Sequence, residues 1–119
     1  MLLFVYGTLK RGGRLHYHLE GATFVCDDTI SNCNLYMLDW YPAVKSGFLE
    51  VTGQVYEIDD RILKLMDQVE GEGTLYKREQ RETKNGNLAW IYFYLGSVRN
   101  DQLVTDGVFH ITWSDTGRT

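Results

Sequence analysis

The chain opens on an unbroken apolar run, Leu2-Leu3-Phe4-Val5-Tyr6, that stops at Gly7. Aromatic and β-branched residues in a run of that length, ended by glycine, predict a first strand. Gly12 and Gly13 keep the next stretch irregular. Residues 22–26 and 35–38 read as two further strands, with the polar residues 27–34 as the turn between them, and 53–58 as another, because Val55 and Tyr56 sit among polar neighbours. From Asp59 the period changes. Ile62, Leu63, Leu65, Met66 and Val69 recur at helical spacing, Asp59 and Asp60 stand where the helix dipole is positive, and Gly71 and Gly73 end the pattern. Residues 77–84 predict a polar strand and 88–95 a long aromatic one. Asn85-Gly86 between them predicts a type I′ hairpin, whose two central residues both need positive φ. Residues 108–113 read as a last short strand and 114–119 as a flexible tail.

Six or seven short strands and one good helix predict an α+β, mainly β fold. The expected form is a small closed or strongly curved β-barrel with one main flanking helix, built as a single domain over residues 1–113. A chain of 119 residues, 44% hydrophobic and 24% charged, has the composition of one globular core. No apolar stretch approaches the ~20 residues a bilayer span needs. No basic stretch precedes a long apolar one as in a secretory signal, so a cytoplasmic location is expected. A net charge of −4 argues against nucleic acid or an anionic membrane surface as partner. Nothing in the pattern sets an oligomeric state. Cys26 and Cys33 are too few for a disulfide framework or a zinc site and are expected as reduced, packed thiols, although a hairpin could bring them face to face.

Charge placement within the helix changes the picture. At about 100° per residue, Ile62, Met66 and Val69 define an apolar stripe with Leu63 and Leu65 at its edges, and Glu70 falls between Met66 and Leu63. Asp67, Lys64 and Gln68 lie further round, where water can reach them. A carboxylate on the core-facing side is costly unless paired, hydrogen-bonded or protonated, and desolvation raises its pKa toward the range useful in acid/base chemistry. Two readings of Glu70 stand side by side. It caps the helix end or pairs with Arg78, or it transfers protons. The loop Tyr6-Gly7-Thr8-Leu9 is ambiguous in the same way. A glycine directly after a buried strand lets successive N–H groups turn into one concavity suited to a carboxylate or an oxyanion, and it also simply ends strands.

Taken together, these segments resemble a known family. Tyr6-Gly7-Thr8-Leu9-Lys10-Arg11-Gly12 is similar to the signature loop of the γ-glutamylcyclotransferase-like proteins. Leu65-Met66-Asp67-Gln68-Val69-Glu70-Gly71, followed by Leu75-Tyr76-Lys77-Arg78, resembles that family's helix-end segment. Trp40-Tyr41-Pro42-Ala43, Gly53-Gln54-Val55-Tyr56 and the aromatic strand at 90–94 match in the expected order. Met66 stands where the family often has Leu, a tolerated swap in a core, and residues 14–20 and those after Leu95 carry little that matches.

The resemblance implies a γ-glutamylcyclotransferase-like fold and an enzyme of acyltransferase or cyclising-lyase chemistry that releases 5-oxoproline from a γ-glutamyl amine or γ-glutamyl amino acid. It implies Glu70 as acid/base and Tyr6, Gly7, Thr8 and Leu9 as the grip on the γ-glutamyl group. The attacking amine is already tethered to the substrate, so the reaction needs no cofactor, no metal and no protein nucleophile. The partner is then a small molecule. Tyr41, ahead of the only proline, is a candidate for the pocket rim across a cis bond. Tyr76 and Arg78 follow Glu70, and Arg78 either holds a substrate carboxylate or neutralises Glu72 or Glu79. His16 and His18 are two apart, as metal ligands on one strand face would be, but lack matching acids. Lys10, Arg11 and Arg14 read as a solvated loop attractive to anionic substrates. The competing reading is a non-catalytic protein that binds a small molecule in the same pocket.

Overall fold

The computed structural model describes residues 1–39 and 41–110. Six strands and one α-helix occur among them, with two short 3₁₀ turns at His16–Leu19 and Asn100–Gln102. In chain order these are β1 (Leu2–Val5), β2 (Thr23–Met37), β3 (Pro42–Glu57), α1 (Asp60–Glu70), β4 (Tyr76–Glu82), β5 (Leu88–Tyr94) and β6 (Leu103–Val104). They form one mixed sheet in the order β4-β5-β1-β3-β2-β6. β1 lies inside it, parallel to β5 and antiparallel to β3.

That position explains the opening apolar run. Leu3 and Val5 point toward α1, where they pack with Tyr56, Ile62, Leu63, Met66 and Tyr92. Phe4 and Tyr6 point the other way, into a second cluster with Ile30, Leu35, Val44, Val51 and Ile91. A strand buried on both faces has no reason to alternate with polar residues.

The helix starts and stops where the pattern predicts. The Asp59 side chain accepts a hydrogen bond from the Ile62 N–H at 2.9 Å. Gly71 ends the helix at φ 63° and ψ 51°, and the Glu72 N–H donates back to the Asp67 carbonyl at 2.9 Å, the reversal that favours glycine at this position. Ile62, Leu63 and Met66 are buried.

Several expectations are corrected. The polar residues 27–34 are not a turn. They are the middle of β2, a strand of 15 residues paired along most of its length with β3. β3 starts at Pro42, eleven residues before the expected strand, with proline at the first position, where it costs no ladder bond. The polar run stays extended because its buried members are satisfied by tertiary contacts. The Asp28 carboxylate accepts from the N–H groups of Thr29 and Asn85 and the Asn87 side-chain amide, and Asn34 Oδ1 accepts from the N–H groups of Phe48 and Leu49.

The hairpin at Asn85-Gly86 is present, but its turn is not type I′. Gly86 alone has positive φ (85°), and its N–H donates to the Thr83 carbonyl at 2.9 Å. Lys84 N–H donates to the Thr29 carbonyl of β2 at 2.8 Å, so tertiary bonds choose the turn. Here the hairpin is laced to the opposite part of the sheet by side chains and this backbone bond. Among the described residues no strand ladder closes the circle, so their sheet is open and curved, not a closed barrel.

Cys26 and Cys33 lie on the same strand, seven residues apart, and are free. At ~3.3 Å per residue they are far beyond disulfide reach. Residues 108–110 form no strand, and 111–119, with the rest of the expected last strand and the tail, lie outside the described residues.

Candidate active site

A cavity of about 200 Å³ lies at the carboxyl end of β1, where the chain leaves the sheet core. Tyr6, Gly7, Thr8 and Leu9 form one wall, Val69 and Glu70 of α1 another, and Tyr41, Pro42, Leu75, Tyr76 and Tyr92 close the remainder, with Arg14 and Leu15 beside the loop. The segments at 6–9, 41–42 and 69–76 are far apart in sequence. β1, β3 and the end of α1 bring them together.

Gly7 is required by its neighbour more than by its own torsions. Its φ is not positive, and a Cβ there would run into the ring of Pro42. The glycine of the loop and the proline after Tyr41 are therefore two halves of one contact. The Tyr41–Pro42 bond is not cis. Tyr41 reaches the rim because its ring packs at 6.4 Å from Tyr76, whose hydroxyl donates to the Pro42 carbonyl at 3.0 Å.

The loop folds back on itself. Lys10 N–H donates to the Gly7 carbonyl and Leu15 N–H to the Thr8 carbonyl, while His16 Nδ1 donates to the Leu9 carbonyl at 2.9 Å. The carbonyls of Gly7, Thr8 and Leu9 are thus occupied, and their N–H groups have no acceptor among the described residues. Successive unbonded amides beside a cavity are groups suited to attracting an anion.

Glu70 sits on the helix wall. It lines the cavity, and burial pushes its carboxyl up to about 7. No hydrogen bond or ion pair reaches it among the described residues. Three phenols surround it. Burial first, and the Glu70 charge second, raise the pKa of Tyr6 and Tyr76, and burial raises that of Tyr92, so all three stay protonated donors. Tyr6 donates to the Tyr92 carbonyl at 2.8 Å.

Of the residues singled out from the sequence, Glu70, Tyr6, Gly7, Thr8, Leu9, Tyr41 and Tyr76 line the cavity. Arg78 does not. Its Nε and Nη2 donate to Asp67 Oδ1 and Oδ2 at 2.9 and 3.2 Å, and its guanidinium stacks 4.2 Å from the Trp90 ring. Asp67, expected to be solvated, is half-buried and also accepts from the Tyr92 hydroxyl at 2.7 Å. The Glu70–Arg78 pair considered above is not formed. Tyr92 and Leu15 are cavity residues that sequence reasoning missed. The only signal for Tyr92 was its place in an aromatic strand.

In the basic loop Arg11 and Arg14 are exposed, as expected, whereas Lys10 is half-buried. Its Nζ donates to the Phe109 carbonyl at 2.6 Å, and the Arg11 guanidinium lies 4.6 Å from the Phe24 ring. His16 and His18 fall in a 3₁₀ turn, and no group of three metal-ligating side chains occurs among the described residues. No described helix is long and apolar enough to cross a membrane.

Residues 3–113 match the family described as gamma-glutamyl cyclotransferase, AIG2-like. A gamma-glutamylcyclotransferase family protein of Escherichia coli K12, YtfP, is 35% identical over 108 residues, covering 90% of this chain and 94% of that protein. The crystal structure of an uncharacterized Pyrococcus horikoshii protein superposes with a TM-score of 0.80 at 30% identity, over 92% of this chain and 89% of the other. A mouse AIG2-like protein shares the fold at 21% identity and a TM-score of 0.74, over 92% and 87% of the two chains. With its fold, its loop and its helix-end glutamate set out, the chain belongs to the AIG2-like gamma-glutamyl cyclotransferase family.

Proposed function

We propose that the cavity converts a γ-glutamyl amide to 5-oxoproline and a free amine. The observation that carries this reading is a carboxyl without a partner among the described residues, pushed up to about 7 by burial, sharing one small cavity with three backbone amides that have no acceptor among those residues. In its ionised form Glu70 takes a proton from the substrate's α-amine as that nitrogen attacks the γ-carbonyl carbon. A carbon–nitrogen bond closes the five-membered ring, and the carbonyl electrons move onto oxygen. The N–H groups of residues 7–9 hold that oxyanion, where losing one donor costs ~3 kcal/mol. As the oxyanion collapses, the original amide bond breaks and Glu70 returns its proton to the departing nitrogen. A carboxyl with pKa near 7 suits both halves of this cycle, since it is neither too weak a base nor too weak an acid.

The shape of the cavity adds to the case. Tyr6, Tyr76, Tyr92 and Val69 give it largely apolar walls, and holding the amine near the carbonyl there would remove an entropic barrier. The deciding experiment incubates purified protein with a panel of γ-glutamyl amines and γ-glutamyl amino acids and measures 5-oxoproline, with Glu70→Gln in parallel. Turnover by the parent, lowered about 10²-fold or more in the variant, is the expected result. A parent that binds these compounds without turnover favours the non-catalytic binder instead.

A further inference from the structure

Asp67 lies outside the cavity, and the reaction above makes no use of it. Its carboxylate is nonetheless the best-held group near the site. Arg78 grips both oxygens at 2.9 and 3.2 Å, the Tyr92 hydroxyl donates at 2.7 Å, and Trp90 backs the guanidinium. The Tyr92 carbonyl in turn accepts from Tyr6 at the end of β1. One chain of contacts thus runs from the last turn of α1 through β4 and β5 to the root of the 6–9 loop. The two groups required by the proposed reaction arrive on different elements, and this chain joins those elements behind the cavity wall.

An exposed ion pair contributes little and holds no geometry. This pair differs. The side chains are 21% and 26% exposed, and the contact is fork-to-fork, which sets an angle as well as a distance. Glu70 is three residues further along the same turn. Helix ends fray, and a desolvated carboxylate gains hydration by swinging outward, so the last turn needs a restraint that Glu70 itself does not supply.

We infer that Asp67 is the positioning residue of this site, clamping the last turn of α1 to β4 and β5 so that Glu70 stays aimed into the cavity facing the residue 7–9 amides. The inference rests on reading the cavity as a cyclotransferase site.

Charge-conserving variants test it. Tyr92→Phe removes one donor to Asp67, and Arg78→Lys keeps the positive charge but loses the fork. Asp67→Asn accompanies them. Glu50→Gln serves as control, since that carboxylate pairs with Lys84 on the exposed surface. The titratable and charged groups around Glu70 are Tyr6 just beyond β1, Tyr76 of β4 and Tyr92 of β5, with Arg14 also lining the cavity and Asp67 on its own helix. The first two variants change none of the formal charges among them. Two quantities are followed in folded protein, kcat against KM for the preferred amide and the Glu70 titration by carboxyl ¹³C NMR. The expected result in Tyr92→Phe and Arg78→Lys is a kcat lowered about tenfold with KM within about twofold, and a Glu70 midpoint that falls toward ordinary carboxylates as water reaches it. The control moves neither. Parental kcat and midpoint in both folded variants would overturn the clamp. A parent without turnover whose Glu70 midpoint still falls in the variants would leave the clamp standing and remove the cyclotransferase reading.

Discussion

Glu70 bears a cost in stability that the proposed chemistry requires. Burial raises its carboxyl to about 7 in the folded chain from 4.5 in the unfolded one. Between those values the folded state binds more protons, so the contribution of Glu70 to stability falls as pH rises through that window. Above pH 7 the deficit is on the order of 3 kcal/mol, reduced by any water in the cavity. Glu70→Gln should therefore melt higher than the parent at pH 8 and alike at pH 4, read by thermal denaturation at the two values. The pH profile of kcat/KM should fall on the acid side below about pH 7, because in the proposed reaction protonated Glu70 cannot accept the amine's proton, and a flat profile from pH 5.5 to 7.5 would contradict Glu70 as the proposed base. At Gly7 the expectation is steric. Gly7→Ala places a methyl into Pro42 and should destabilise by about 1–3 kcal/mol while raising KM, measured by chemical denaturation and steady-state kinetics.

Among the elements, the β4–β5 hairpin depends on a single buried carboxylate. Burial alone would raise the pKa of Asp28, but hydrogen bonds from Thr83, Asn87, Thr29 and Asn85 outweigh it and hold the group below the usual carboxylate range. The sign follows from that lowering. Its stabilisation is fully present above the unfolded pKa of 3.8 and is lost as pH falls through the lower folded value. Asp28→Ala leaves several buried donors unpaired and unties the hairpin from β2. A loss of about 2–4 kcal/mol is expected, together with faster amide exchange at residues 83–87. The strands also settle the cysteines. Placed on one strand at 26 and 33, they should leave the melting temperature unchanged by reductant. Cys33, fully buried and with its thiol pushed up by burial, should react with a thiol reagent far more slowly than Cys26.

Over the whole molecule, the curved open sheet delivers the 6–9 loop, the Tyr41–Pro42 corner and the end of α1 to one place. Much of this was legible beforehand. The β1 run, the helix with its Asp59 cap and Gly71 stop, and Glu70 on the apolar stripe follow from local chemistry, namely periodicity, capping and the αL preference of glycine. The resemblance then tied the loop to the glutamate. What local chemistry cannot show is which polar residues find buried partners. Asp28 and Asn34 look like turn residues until Asn85, Asn87 and the Phe48 amide meet them, which is why a 15-residue strand read as two strands and a turn. For the same reason Arg78 looked like a ligand for substrate and Asp67 like a solvated acid. Their pairing spans 11 residues and depends on the chain returning after Gly71 so that β4 brings Arg78 within reach of α1. The sequence by itself determined which residues must be buried, capped or turned, because those demands are set within a few residues. Only the tertiary structure decided which charges are neutralised and which, among the described residues, stays alone, because that depends on groups brought together from distant parts of the chain.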